Sequence, residues 1–152
     1  MGIGQAKAAI DNGFSKVGPG LLEGQKVEGM LMASAGRMIR LGNAVILLCK
    51  NGHASEAGPL IREMIEKSAA MKRLSGAPAG EESELHKALT SVEAQGVTEV
   101  SAGIPWAHIF PELHRPETAP ERMLALAVRA LRSALGALET RWPGSFAAAG
   151  GA

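Results

Sequence analysis

Hydrophobic residues recur over positions 27–48 at alternating spacings of four and three, the pattern of a helix packed nearly parallel to a neighbour. The pattern predicts a helix over residues 21–51, and the run AVILLC near its end predicts that this half lies deep in the core. Lys50, Asn51 and Gly52 suit a left-handed helix end. The apolar seam consists of Val27, Leu31, Ser34, Met38, Leu41, Val45 and Leu48.

Glycines interrupt this predicted helix at four positions: Gly24, Gly29, Gly36 and Gly42. Each costs roughly 1 kcal/mol relative to alanine in a helix interior. Close approach of another helix would offset that cost. Alternatively, the early glycines indicate that the helix begins nearer Val27.

A second amphipathic pattern predicts a helix over residues 55–74. Ser55 can cap its N-terminus, Glu56 favours the positive end of the helix dipole, and Pro59 falls near the first turn. The connection NGHA is so short that this helix is expected to lie antiparallel to the one before it. Its apolar arc consists of Leu60, Ile61, Met64, Ser68, Met71 and Leu74.

Two further helices complete the pattern, a weaker one over residues 81–95 and a final one that Pro143 and Gly144 end. Between them lies an irregular crossover. Thr118 and Glu121 form a predicted capping box at the start of the final helix, with Pro120 in the first turn. No stretch has the alternation of a strand. The chain is therefore predicted to be all-α, a bundle of four to five helices around an antiparallel helix hairpin.

Glycine and proline positions divide the chain into three predicted segments. Residues 1–20 are expected to form a loosely held N-terminal arm, because their small and polar side chains offer little to anchor them. Residues 21–142 form a single helical-bundle domain, and residues 143–152 form a frayed C-terminal tail. A chain of 152 residues fits one such core.

Composition narrows the function classes. The net charge of +1 gives no whole-molecule attraction to nucleic acid or anionic lipid. The two Trp, three Phe and absent Tyr offer little on which single-stranded bases could stack. Cys49 is the only cysteine, so an internal disulfide and multi-cysteine zinc motifs are excluded, and its apolar context favours a small buried hydrophobe. No signal-peptide pattern is found, and the longest uninterrupted run of strong hydrophobes is far shorter than the roughly 20 residues that span a bilayer. The expected location is therefore cytoplasmic, with no membrane association and no cofactor.

Catalytic and metal-binding patterns are not found. The motif HIFPELH sets His108 and His114 six residues apart with Glu112 between them, but no compact third and fourth ligand accompanies them. A nucleophile elbow and a phosphate-binding glycine loop are also missing. We therefore expect no metal site and assign no catalytic residue.

Arg62 and Glu66, four residues apart on the second predicted helix, are the strongest candidate interaction residues. As an exposed ion pair they would contribute about 0.2–0.5 kcal/mol. The alternative is a second packed interface, within the subunit or across a dimer, because small residues on the same side of the helix would let another helix come close. Arg37 and Arg40, one turn apart on the preceding helix, are candidates for the same surface.

The stretch from Arg40 to Leu74 resembles the core helix pair of an uncharacterised bacterial helical family similar to the HEPN superfamily. The shared pattern is Glu-Ala-x-x-Leu-x-Arg-x-x-x-Glu, matched here by Glu56, Ala57, Leu60 or Ile61, Arg62 and Glu66. This stretch is 35 of the chain's 152 residues. The resemblance implies a helical bundle that is often dimeric. HEPN ribonucleases carry an Arg four to six residues before a His, and no histidine here has that partner.

Three functions remain open. The first is a non-catalytic helical bundle that acts through self-association, as a homodimer, or by binding a protein or ligand through Arg62 and Glu66. The second is an RNA-binding protein or ribonuclease of a defence or toxin–antitoxin system, with Arg37, Arg40, Arg62 and Glu66 along one groove. The third is a bundle that binds a small apolar molecule, which the seven methionines would line.

Overall fold

The computed structural model describes residues 2–17, 26–76 and 119–146. Within them four α-helices form: α1 (Ile3–Val17), α2 (Lys26–Lys50), α3 (Gly58–Ser75) and α4 (Pro120–Arg141). A single 3-10 turn, Ala54–Ala57, precedes α3, and none of the described residues forms a strand. The all-α prediction is confirmed. The predicted helix over residues 81–95 and nearly all of the crossover lie outside the described residues.

Helix α2 begins at Lys26, so the later of the two predicted starts is the observed one. Its predicted seam is buried at Leu31, Met38, Leu41 and Val45. The prediction that AVILLC lies deep in the core is only partly correct, because Leu47 is 61% exposed. This half of α2 packs on one side only, and its apolar residues therefore do not all enter the core.

Helix α2 ends in a left-handed turn at Gly52, as the sequence predicts. Gly52 adopts a positive φ of 78°, and the His53 amide donates to the carbonyl of Leu48 at 2.8 Å. This hydrogen bond is the one that closes a Schellman motif. The short connection then reverses the chain, and Arg37 of α2 reaches Glu63 of α3. The two helices are therefore antiparallel neighbours.

The predicted helix caps differ from the observed ones. Ser55 lies inside the 3-10 turn, where its hydroxyl donates to the Glu56 carboxylate rather than capping α3. Helix α4 has Ala119 at its N-cap position, in an extended conformation with ψ of 143°, so the predicted cap residue Thr118 precedes that position. Proline in the first turn of both helices is confirmed. Proline fixes the first-turn φ whether or not a side chain caps the helix.

Helix α1 packs against the bundle, rather than forming the loosely held arm that the sequence predicts. Ile3, Ala6, Ala9 and Ile10 are buried at spacings of three and four residues. Three of the helix's inward positions carry no large side chain: Ala6, Ala9 and Gly13. Small residues gave little apolar signal in the sequence, yet they let α1 approach its neighbours closely.

The C-terminal segment is packed at Phe146, rather than frayed from residue 143 as predicted. Phe146 is 1% exposed, and its ring meets that of Phe14 at a centroid distance of 4.9 Å and that of Trp142 at 5.7 Å. The Glu139 carboxylate accepts hydrogen bonds from the Gly144 amide and, at 2.8 Å, from the Phe146 amide. Three of the chain's five aromatic residues thus lie in one cluster at the end of α4.

An ion pair joins α2 to α4 next to this aromatic cluster. Glu28, in the first turn of α2, is only 3% exposed and pairs with Arg141 in the last turn of α4. Each charge favours the dipole of its own helix end. The Arg141 guanidinium also lies 5.6 Å from the ring centroid of Trp142. The start of α2 therefore lies beside the end of α4, and the two helices are antiparallel.

We predict that Phe146→Ala lowers the free energy of unfolding by about 3–5 kcal/mol, because it empties a fully buried aromatic position. Chemical denaturation followed by circular dichroism measures the change. Leu47→Ala is the matched control, since Leu47 is a large but exposed side chain, and it should change stability by less than about 0.5 kcal/mol. Equal effects of the two substitutions would show that the segment after α4 is not part of the core.

Candidate interaction surface

Two helices, α2 and α3, present a continuous row of exposed and half-buried side chains. Arg37 and Glu63 join the helices by two hydrogen bonds, Nε to Oε2 at 2.8 Å and Nη2 to Oε1 at 3.2 Å. A fork of this kind fixes the relative position of two side chains better than a single contact does. We call the row the α2–α3 surface; it comprises Met30, Arg37, Arg40, Arg62, Glu63, Glu66, Lys67, Ala70, Arg73 and Leu74.

The Arg37–Glu63 pair shifts the titration of both groups. The hydrogen bond from Arg37 lowers the pKa of the Glu63 carboxyl and outweighs the opposing desolvation, and the charges of Arg37 and Lys67 lower this pKa further by smaller amounts. The same hydrogen bond and charge raise the pKa of Arg37. Both side chains are more than a third exposed, at 45% and 37%. The pair therefore orients the surface more than it stabilises the fold.

A pocket of about 350 Å³ opens between the start of α2 and the end of α3. Met30, Ala70, Arg73 and Leu74 line it. Met30 is 45% exposed and Leu74 is 36% exposed, although both are large apolar side chains. The Arg73 side chain adds a positive charge to this apolar lining.

Arg62 and Glu66 are half-buried, on the side of α3 that also carries Gly58 and Ala69. Gly58 and Ala69 are both buried, so this side of the helix is packed within the subunit. Of the two packed interfaces considered from the sequence, within the subunit or across a dimer, these two small residues lie in the one within the subunit. Arg62 and Glu66 thus lie at the edge between the core and the α2–α3 surface.

Arg40 lies one turn beyond Arg37 and is exposed. Among the residues that the structure describes, it has no ion pair or hydrogen-bond partner. The four residues singled out in the sequence therefore occupy neighbouring positions with different environments. Arg37 is held by Glu63, Arg40 extends into solvent, and Arg62 and Glu66 are partly enclosed.

Metal-binding side chains are not assembled in the described part of the chain. It contains no cluster of three or more His, Cys, Asp and Glu side chains. Burial, with a smaller contribution from Glu121, raises the pKa of the Cys49 thiol, which disfavours the reactive thiolate. His108 and His114 lie outside the described residues.

One described helix is long and apolar enough to cross a membrane by length and composition alone. It spans Glu28–Lys50, with a mean hydropathy of 1.3 in its most apolar window, a third of which is buried in the bundle. Core helices of helical bundles have the same composition. The finding therefore assigns the protein to no compartment.

Comparison of the chain with protein-family models, with curated proteins and with solved structures gives no match.

The sequence pattern did not indicate Glu63 as the partner of Arg37, because the two residues lie 26 positions apart on different helices. It also assigned Leu74 to the buried arc and gave Met30 no role. Both contacts join different helices, position 37 with 63 and position 30 with 70. Spacing within one helix carries no signal for them, because the register between α2 and α3 is set by packing.

We predict that the contribution of Glu63 to stability is lost in acid. Because its folded-state pKa is lowered, the contribution is present above the ordinary value of 4.5 and disappears as pH falls through the lowered pKa. Glu63→Gln should therefore lower Tm by about 1–3 °C at neutral pH and by less at pH below the folded-state pKa. Thermal melts of both proteins across that range measure the difference.

Asp11→Asn is the control for this measurement, since Asp11 is an exposed carboxylate on α1 with no ion-pair partner among the described residues. The difference in Tm between Asp11→Asn and the unsubstituted protein should be the same at every pH. A Glu63→Gln effect that persists unchanged in acid would mean that the Arg37 contact contributes no pH-dependent stability.

Proposed function

We propose that the protein is a non-catalytic binding protein that acts by association of its α2–α3 surface with another polypeptide. The observation that supports this proposal is the exposure of Met30 and Leu74 around one pocket. Large apolar side chains that cluster in the open are typical of interaction sites, whereas single scattered ones are ordinary. Leu47, exposed alone elsewhere on α2, is of the ordinary kind.

Polar groups around the pocket suit an interface as well. The Arg37–Glu63 fork lies seven residues from Met30 on α2 and seven from Ala70 on α3, which is two helical turns on each helix. An ordered ion pair next to an apolar pocket resembles the polar rim around the apolar centre of a protein interface. The surface thus offers a partner both an apolar anchor site and fixed polar neighbours.

Self-association is one form of this proposal, and the HEPN-like resemblance favours a homodimer. The RNA-binding alternative would use the arginines of the same surface, but Glu63 already occupies the fork of Arg37. The small-ligand alternative would use the pocket alone, whose volume of about 350 Å³ is near the lower end for such sites. These alternatives give different products in one experiment.

Photocrosslinking from within the surface tests the proposal. A photoreactive amino acid replaces Ala70, an exposed residue of the pocket lining, in the full chain expressed in its own cells. We expect a covalent adduct to a polypeptide, whose mass distinguishes a second copy from a different protein. The same replacement at Ala125, an exposed alanine on α4, is the control and should give no such adduct.

Equal adducts from Ala70 and Ala125 would contradict the proposal, as would adducts to RNA alone. Circular dichroism of both variants confirms that the bundle is folded. Because both sites are exposed alanines on helices, the comparison isolates the position of the probe.

A further inference from the structure

The charges on the α2–α3 surface are unequal. The surface carries five cationic side chains and two carboxylates, Glu63 and Glu66, a formal charge of +3. The whole chain has a formal charge of +1, so the remainder is net negative at −2. A local excess of this sign attracts acidic partners and repels basic ones. The cations are Arg37, Arg40, Arg62, Lys67 and Arg73.

The apolar pocket and the charges are spaced along one line. Met30 and Ala70 mark the pocket, and Arg37 lies two turns from Met30, a rise of about 10 Å. Arg40 extends the positive charge by one more turn. A helix laid along this line would place an apolar side chain in the pocket and acidic side chains about three turns away, opposite Arg40, because Glu63 already occupies Arg37.

We propose that the α2–α3 surface binds an acidic amphipathic helix of another protein, with one large apolar side chain of that helix in the Met30–Leu74 pocket. This inference rests on the proposed function and names the chemistry of its partner. Helices that lie in a groove are anchored by apolar residues at positions i, i+3, i+4 and i+7. The carboxylates of the helix provide orientation and speed of encounter, and the apolar anchor provides affinity.

Other occupants fit the surface less well. A second copy of the chain in a twofold arrangement would set one +3 surface against another. Nucleic acid has no large aliphatic side chain for the pocket, and the surface holds no aromatic ring on which a base could stack. An anionic membrane would meet Glu63 and Glu66 together with the cations, and it would favour protruding apolar side chains over a recess.

Two synthetic peptides test the proposal on the full chain. Both have about 18 residues and the same leucines at i, i+3, i+4 and i+7, and they differ in carrying either glutamates or lysines on the flanks. Fluorescence anisotropy measures their binding. We expect the acidic peptide to bind at least about tenfold more tightly at low salt, with affinity that falls as ionic strength rises.

Substitutions on the protein locate the binding. Leu74→Glu and Ala70→Glu, at the pocket, should each lower the affinity for the acidic peptide by about tenfold. Arg40→Glu should lower it by about threefold. Ala125→Glu makes the same charge change as Ala70→Glu on α4 and should leave binding nearly unchanged. Two pocket variants are used so that a folding defect in one does not decide the result.

Equal affinity for the two peptides, or acidic binding that survives both pocket substitutions, would overturn the inference. If a uridine 20-mer or phosphatidylserine vesicles bind more tightly than the acidic peptide, and this binding is lost in Ala70→Glu, the partner would be nucleic acid or lipid rather than an acidic helix. If neither peptide binds but the probe at Ala70 still crosslinks to a polypeptide, only the acidic helical character of the partner would be overturned. Failure of the Ala70 crosslink itself would overturn the proposed function.

Discussion

The bundle depends on the absence of a side chain at Gly42, the point where the four described helices meet. A Cβ built at this buried position of α2 would lie 3.3 Å from Ile3 of α1, 3.6 Å from Leu131 of α4 and 3.9 Å from Met64 of α3. Contacts with three other helices at one residue fix how each approaches α2. The entropic cost of glycine in a helix, roughly 1 kcal/mol, is offset by this close packing.

Interactions at the two ends of the bundle preserve this arrangement. At one end the Gly52 turn reverses α2 into α3. At the other end, the buried Glu28–Arg141 pair and the aromatic cluster around Phe146 join the start of α2 and the end of α1 to the end of α4. A Cβ at Gly13 would overlap the Phe146 ring, so this second contact also requires glycine. The α2–α3 surface lies between these two anchored ends, and its register follows from them.

Periodicity in the sequence predicted the elements with large apolar side chains and clear end signals. The seams of α2 and α3, the end of α2 at Gly52 and the antiparallel hairpin are of this kind. The pattern did not predict the packing of α1, whose buried face consists largely of alanine and glycine, because burial of small residues leaves little hydrophobic signal. It also proposed close helix approach, or a later helix start, for the glycines of the first predicted helix. Within α2, a Cβ at Gly29 would meet nothing within 4 Å, and one at Gly36 would meet only Arg40 of its own helix.

The candidate surface was predictable in part. Arg37, Arg40, Arg62 and Glu66 were identified by residue type and spacing, which show helical neighbours. The Arg37–Glu63 fork and the Met30–Leu74 pocket depend on the register between two helices, which hydrophobic periodicity leaves undetermined. Phe146 was missed because it follows the helix-ending Pro143 and Gly144, after which no periodic pattern remains to indicate burial.

The most direct test of the account is the stability change caused by leucine at Gly42 compared with leucine at Gly136, an exposed glycine within α4 that meets nothing within 4 Å. Denaturation curves of the two variants give the free energies of unfolding. If the four helices converge on Gly42, Gly42→Leu lowers that free energy by about 1–3 kcal/mol or more, whereas Gly136→Leu leaves it unchanged or raises it by up to about 1 kcal/mol. Equal changes at the two positions would contradict the convergence.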